Sequence, residues 1–280
     1  MKKVLSIVAF FKIFTSTLLG QVNDTVHQYR FKEDSLRYYF EQLASSRQDE
    51  KKMKINKQIT SILEEILVQP ETFDYPFDSV PYFGKLTSPD KKFRMYNWNL
   101  TYQDGRYHYL TYIQVVMKKE PPIVFSFNDE GYDKNVFERE VFNEKNWYGA
   151  LYYDIIPSKF SGNQYYTLIG IDFNDIFTNK KIIDIIEFSA DMKSITFGAP
   201  YFFINNKQKN RMVFEYSSKV SMSMKYYPTK KMIIFDHLSP HKPSLEGKYQ
   251  FYGPDFSFDA LEKKKDGWVY IPDVNMTNEE

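Results

Sequence analysis

The chain has 280 residues, with 37 Lys and Arg against 36 Asp and Glu and a net charge of +1. That near-neutral balance argues against nucleic acid, because phosphate binding depends on clustered Lys and Arg, and against a polybasic membrane-surface mode. No cysteine is present, which excludes disulfides, thiolate zinc ligands, cysteine nucleophiles and acylation of an N-terminal cysteine.

Met1-Lys2-Lys3 is a short basic start, Val4 to Leu19 is largely apolar, and small Gly20 precedes polar Gln21. This is the tripartite layout of a secretory signal peptide, so residues 1–20 are expected to be an export signal. Lys12 and the Thr15-Ser16-Thr17 stretch interrupt the apolar run, which is too short and polar for a span of about 20 apolar residues. The expected location is periplasmic or secreted, with no transmembrane helix in the mature chain. The remainder is long enough for one large domain or two small ones.

Residues 33–69 form the strong helical stretch. Asp34 or Ser35 can cap a first helix with Leu36, Tyr39, Phe40 and Leu43 on one face. After the polar connection Ser45 to Lys52, Ile55, Ile59, Ile62, Leu63, Ile66 and Leu67 recur at helical spacing, and Pro70 is expected to stop the helix at Gln69. Residues 21–70 therefore read as a helical hairpin whose apolar stripe packs on the domain behind it, with docking on another protein as the alternative.

With 23 Tyr, 25 Phe and 3 Trp, the rest of the chain favours pleated, half-buried surfaces. Glu71 to Tyr82, rich in Pro, Asp and Phe, is an irregular entry. Phe93 to Asn99 and Tyr107 to Val116 flank Gln103-Asp104-Gly105 and predict a hairpin, and Ile123 to Phe127 adds a strand. Gly131 to Asn146 is polar without a strand period. Ala150 to Ile156 and Tyr165 to Asp172 predict a second hairpin turning at Ser161-Gly162-Asn163. Ile182–Phe188, Ile195–Phe203, Arg211–Ser217, Val220–Tyr226, Met232–Phe235 and Trp268–Ile271 complete the strands. Short strands joined by turns without interleaved helices make residues 71–280 a mainly antiparallel β domain, an α+β chain overall. A sandwich or open barrel is expected. A small propeller-like array is the alternative, although the period of about 40–50 residues that it needs is missing.

Several polar clusters invite chemistry. Asp236, His237 and His241 in Asp-His-Leu-Ser-Pro-His supply metal-ligand types, but Pro240 makes the segment read as a turn, and Leu238 stands where a helical zinc motif needs Glu. Asp255 and Asp259, beside the Gly253-Pro254 turn signal, are a carboxylate pair of the sort that flanks a glycosidic bond when about 5–9 Å apart. Asn146, Trp147 and Tyr148 combine aromatic faces with an amide, as a sugar site does. Trp98, in mid-strand, reads as core. Asp172-Phe173-Asn174-Asp175 lacks the Gly and distal Glu of a calcium loop and reads as a turn. With 11 Gly and neither a phosphate loop nor a Gly-x-Ser-x-Gly elbow, nucleotide-fold enzymes and α/β-hydrolases are disfavoured.

The phrases Phe93-Arg94-Met95-Tyr96-Asn97-Trp98-Asn99 through Tyr107-His108-Tyr109, and Asn146-Trp147-Tyr148-Gly149-Ala150-Leu151-Tyr152-Tyr153 through Thr167-Leu168-Ile169-Gly170-Ile171-Asp172, resemble uncharacterised exported proteins of Bacteroidetes-type Gram-negative bacteria. The resemblance spans roughly residues 83–272. It implies export from a Gram-negative cell and transfers no activity and no functional residues. The functional expectation is a non-catalytic, β-rich binding or envelope-associated module. Its partner is a polysaccharide or an envelope protein, with no cofactor and no nucleic acid. The alternative is a carbohydrate-active hydrolase using Asp255 and Asp259.

Overall fold

The computed structural model describes residues 29–129, 137–205 and 207–275; the expected signal segment lies outside them. Helix α1 covers 29–45 and α2 covers Asp49–Ile66. Asp49 and Glu50 in the first turn of α2 complement the helix dipole. The helix ends at Ile66, three residues before the expected stop, because Pro70 opens a separate 3-10 turn, Pro70–Phe73. Leu67 and Thr72 are held there by Gln114, whose amide donates to Leu67 O (2.7 Å) and to Thr72 Oγ1 (2.9 Å).

Three sheets follow. The first has the order β1 (Gly84–Thr87), β2 (Phe93–Thr101), β3 (Tyr107–Val115) and β4 (Ile123–Asn128). The second is β11 (Met212–Ser217), β7 (Thr178–Phe188), β6 (Asn163–Asp172) and β5 (Leu151–Phe160), with β8 (Ile195–Phe197) also on β7. The third runs β10 (Lys207–Lys209), β9 (Phe202–Ile204), β15 (Gly267–Ile271), β14 (Tyr252–Lys264), β13 (Met232–Pro240) and β12 (Met224–Tyr227). Among the described residues every strand pairing is antiparallel except β9 with β15. Both expected hairpins form: β2 pairs with β3 across the Asp104-Gly105 turn, and β5 with β6 across Ser161 and Gly162. Ser161 and Gly162 have φ of 47° and 93°, the left-handed pair that a two-residue hairpin loop demands.

Strand alternation makes these sheets a stack. On the first sheet, Tyr96, Trp98, Leu110 and Tyr112 face α1 and α2 around Leu36, Phe40, Ile59 and Leu63. The opposite face, with Phe93, Met95, Tyr109 and Ile113, packs on Tyr152, Leu168, Ile182 and Ile186 of the second sheet. The second sheet turns Ile156, Ile169, Ile183 and Ile185 towards Ile233, Phe235, Leu261 and Trp268 of the third. The molecule is mainly β, and none of its sheets closes on itself. No buried cluster among the described residues joins the first sheet to the third, as a radial array would require. The stripe of α2 is spent on this core rather than offered to a partner.

The expected single strand Ile195–Phe203 is divided between two sheets. Gly198, at φ 98°, and Pro200 break it, so β8 stays on the second sheet while β9 crosses to the third. The larger difference lies at 236–240 and 252–258, which read as two turns in sequence and fold as strand. β12 covers β13 only at Met232–Phe235, and β15 covers β14 only at Ala260–Lys264. Beyond those points, Asp236–Pro240 pairs with Tyr252–Phe258 as a two-stranded ribbon with a bulge at Asp236/Leu238. Each ribbon strand has a free edge, so Pro240 and Pro254 fit without removing a ladder bond that a central strand needs.

Candidate functional site

The ribbon places His237, Asp255 and Asp259 together. Asp259 is nearly buried, at 5% exposure, and every oxygen is used. Oδ2 lies 2.7 Å from His237 Nδ1 and accepts from the Tyr270 hydroxyl at 2.6 Å, while Oδ1 accepts from the Asp273 amide at 3.1 Å. An ionised Asp259 fixes the tautomer with Nδ1 as donor and turns Nε2 outward. Nε2 then sits 4.0 Å from Asp255 Oδ2. The hydrogen bond to Asp259 raises the His237 pKa above its ordinary value against the opposing effect of burial. Burial would push Asp255 up, but hydrogen bonds from Ser257 and the neighbouring imidazole outweigh it and hold the carboxyl below its usual range. Burial, followed by the bond to Asp259, pushes the Tyr270 hydroxyl up.

Asp255 Oδ1 accepts from both the amide (3.1 Å) and the hydroxyl (2.7 Å) of Ser257. This small ring closes over Phe256, which adopts φ 71° and is 96% exposed. A bulky residue in the left-handed region costs about 1–2 kcal/mol, and an exposed ring regains none of it by burial. Tyr249 and Phe251 of the adjacent 3-10 turn and Val220 are also exposed. A groove of about 500 Å³ is walled by Val220, Phe251, Tyr252 and Pro254, with Ser217, Lys219, Ser239, His241, Gln250 and Asp255 among its polar groups; Tyr249 and Phe256 are chain neighbours of its lining residues. It is larger than the clefts of about 190 Å³ beside α1 and about 280 Å³ beside α2.

The other sequence candidates lie elsewhere. Trp147 and Tyr148 are fully buried and present no face to a sugar. Tyr148 donates to Asp184 Oδ2 at 2.7 Å, and Asp184 accepts from the buried Arg211 Nε at 3.0 Å. Arg211 lies 4.5 Å from the Phe142 ring and 4.8 Å from the Tyr148 ring. This pair pins the 137–142 segment through carbonyls of Phe137 and Glu140. Asn146 Oδ1 accepts the Asn143 amide in a local turn. Trp98 is core, donating to Asn56 Oδ1 at 2.8 Å.

The metal candidates do not converge. Asp236 accepts the Ser223 amide at 2.6 Å, His237 faces Asp259, and His241 lines the groove. No group of three His, Asp or Glu placed to hold a metal occurs among the described residues. In the 172–175 segment, Asp172 and Asp175 cap the amides of Asn174, Phe177 and Thr178, a turn as expected.

Phe256, Phe251 and Tyr249 were not singled out by sequence reasoning. Their only signal is the aromatic density of Tyr249-Gln250-Phe251-Tyr252 and Phe256-Ser257-Phe258 beside residues that resemble turn formers. No family model, curated protein or solved structure matches this chain.

Proposed function

We propose that the protein is an exported, non-catalytic binding module that holds a polysaccharide along the groove, with Phe256 as its projecting contact. The observation that carries this is Phe256 itself: a wholly exposed ring kept in a costly backbone conformation by Asp255 and Ser257. Strain held in place by surrounding structure marks sites under functional demand. A pyranose presents apolar C–H faces to rings such as Phe256 and Phe251. Its hydroxyls suit the mixed donors and acceptors of Gln250, Ser239, His241 and Asp255. The groove matches the general form of ligand sites, apolar walls with a few placed polar groups.

Paired-carboxylate hydrolysis fits less well. It requires two carboxyl groups open to one bond, whereas His237 stands between Asp255 and Asp259, and Asp259 is spent on three donors.

The test is native electrophoresis of residues 21–280 in gels containing plant, mucin and bacterial-envelope polysaccharides. The wild type is expected to be retarded by at least one polymer, and Phe256→Gly to migrate freely. Because glycine relieves the left-handed conformation, Phe256→Gly should keep or slightly raise the melting temperature while losing retention. Uniform mobility of the wild type across the panel would remove the glycan assignment.

A further inference from the structure

Lys219 and Asp255 are the one ammonium and the one carboxylate that line the groove beside the ribbon, and they are in opposite states. Asp255 is already engaged: Oδ1 accepts from the Ser257 amide and hydroxyl, and Oδ2 lies 4.0 Å from His237 Nε2. Lys219 is exposed and has no ion-pair partner among the described residues. The 241–251 connection, which gives the groove His241, Gln250 and Phe251, also carries Lys242 and Lys248. Both are exposed and lack ion-pair partners among the described residues, and Glu246 is the connection's single acid.

Lys219 stands on a fastened turn. Ser218 donates from its amide to Phe177 O at 2.9 Å and from its hydroxyl to Ile176 O at 2.9 Å, and Val220 N donates to Ser217 O at 3.2 Å. On the other side Val220 sits against β14, where a Cβ at Gly253 would come 3.5 Å from its nearest methyl. The backbone that bears Lys219 is thereby fixed at the groove wall. Ser217 Oγ accepts the Lys219 amide at 3.3 Å, which leaves its own proton for a ligand in the groove.

The groups left to meet a ligand are therefore a cation and hydrogen-bond donors: the Lys219 ammonium, the Ser217 hydroxyl and the Gln250 amide. An ammonium without a counter-charge, on a surface whose carboxylate is taken up by its own donors, attracts anions. The Phe251 and Tyr252 rings and Pro254 suit the C–H face of a sugar. Building on the reading of the groove as a glycan site, we propose that it selects an acidic polysaccharide, one bearing carboxylate or sulfate groups on its sugar rings, with Lys219 as the residue that meets the anion. Three lysines spread over a turn and a loop suit charges spaced by sugar rings. They are too few for the roughly six to ten phosphate contacts that hold a protein on duplex DNA.

The experiment runs the full chain in native gels that hold polygalacturonate or its fully methyl-esterified form, and dextran sulfate or unmodified dextran, each against a polymer-free gel. At least one acidic polymer is expected to retard the protein more than its neutral counterpart, and the effect should weaken as salt is raised from about 0.05 to about 0.3 M. Whichever acidic polymer acts tells carboxylate from sulfate. Lys219→Gln should raise the dissociation constant for that polymer about tenfold and leave retardation by the neutral polymers unchanged. Lys118→Gln, which removes the same charge at an exposed position just past β3, should change neither. Equal retardation by acidic and neutral polymers overturns the acidic preference and leaves the glycan reading standing. No retardation by any polymer overturns both. A preference that survives Lys219→Gln removes Lys219 as the anion contact, and equal affinity for duplex DNA would show a merely cationic surface; either result also overturns the proposal.

Discussion

His237 carries its ring between two carboxylates, one buried and one at the groove, and this sets a pH dependence. Its folded pKa is raised above the ordinary 6.5, chiefly by the hydrogen bond to Asp259. The stability it contributes is therefore complete below 6.5 and is lost as pH rises through the raised value. Asp255 works with the opposite sign: its lowered pKa gives stability present above the ordinary 3.8 and lost as pH falls through the lowered value. The ribbon is held best between those limits. The melting-temperature gap between wild type and His237→Gln should be widest in mild acid and should close in alkali. A gap that widens with alkali would sink this account. The residue types were legible in the sequence, since His237, Asp255 and Asp259 stand out as chemistry-bearing. Their arrangement was not, because His237 belongs to one cluster and Asp255 and Asp259 to another, and only the β13–β14 register brings the two together.

At the scale of elements, the helical pair was the easier part to read. Ile55, Ile59, Leu63 and Ile66 repeat at helical spacing, and those same residues are buried against the first sheet. Leu63→Ala should cost about 2–5 kcal/mol, as large-to-small changes in packed cores do, and chemical denaturation measures it directly. A cost under about 0.5 kcal/mol, as at surface sites, would mean that the stripe does not hold the layers together. The ribbon was the hardest element to read. Pro240, and Gly253 with Pro254, are strong turn signals, yet both segments are strand. Local sequence reports what a proline removes; it does not report that the neighbouring strands stop short and leave an edge with nothing to lose.

Across the whole molecule, each tryptophan sits in a different core. Trp98 lies between helices and first sheet, Trp147 between first and second sheets, and Trp268 between second and third. The second sheet contributes to two of these cores from opposite faces, so loosening one withdraws support from the other. Three variants that each retain one tryptophan should therefore show coincident denaturation midpoints by fluorescence, after correction for each variant's own stability. Separated midpoints would show that the layers unfold independently.

What the sequence determined by itself is the class of object. Its aromatic content, alternating strands, Asp-Gly and Ser-Gly turns and one amphipathic helical stretch predict helices followed by antiparallel sheets, and all of these are short-range signals. The tertiary structure decided which aromatics are buried and which are shown. Trp147 and Tyr148 pass into a core around Arg211 and Asp184, while Phe256 stands in solvent. Burial depends on which sheet faces which, and that is settled by pairings between residues distant in the chain, such as the Trp268 indole donating to Thr167 at 2.8 Å.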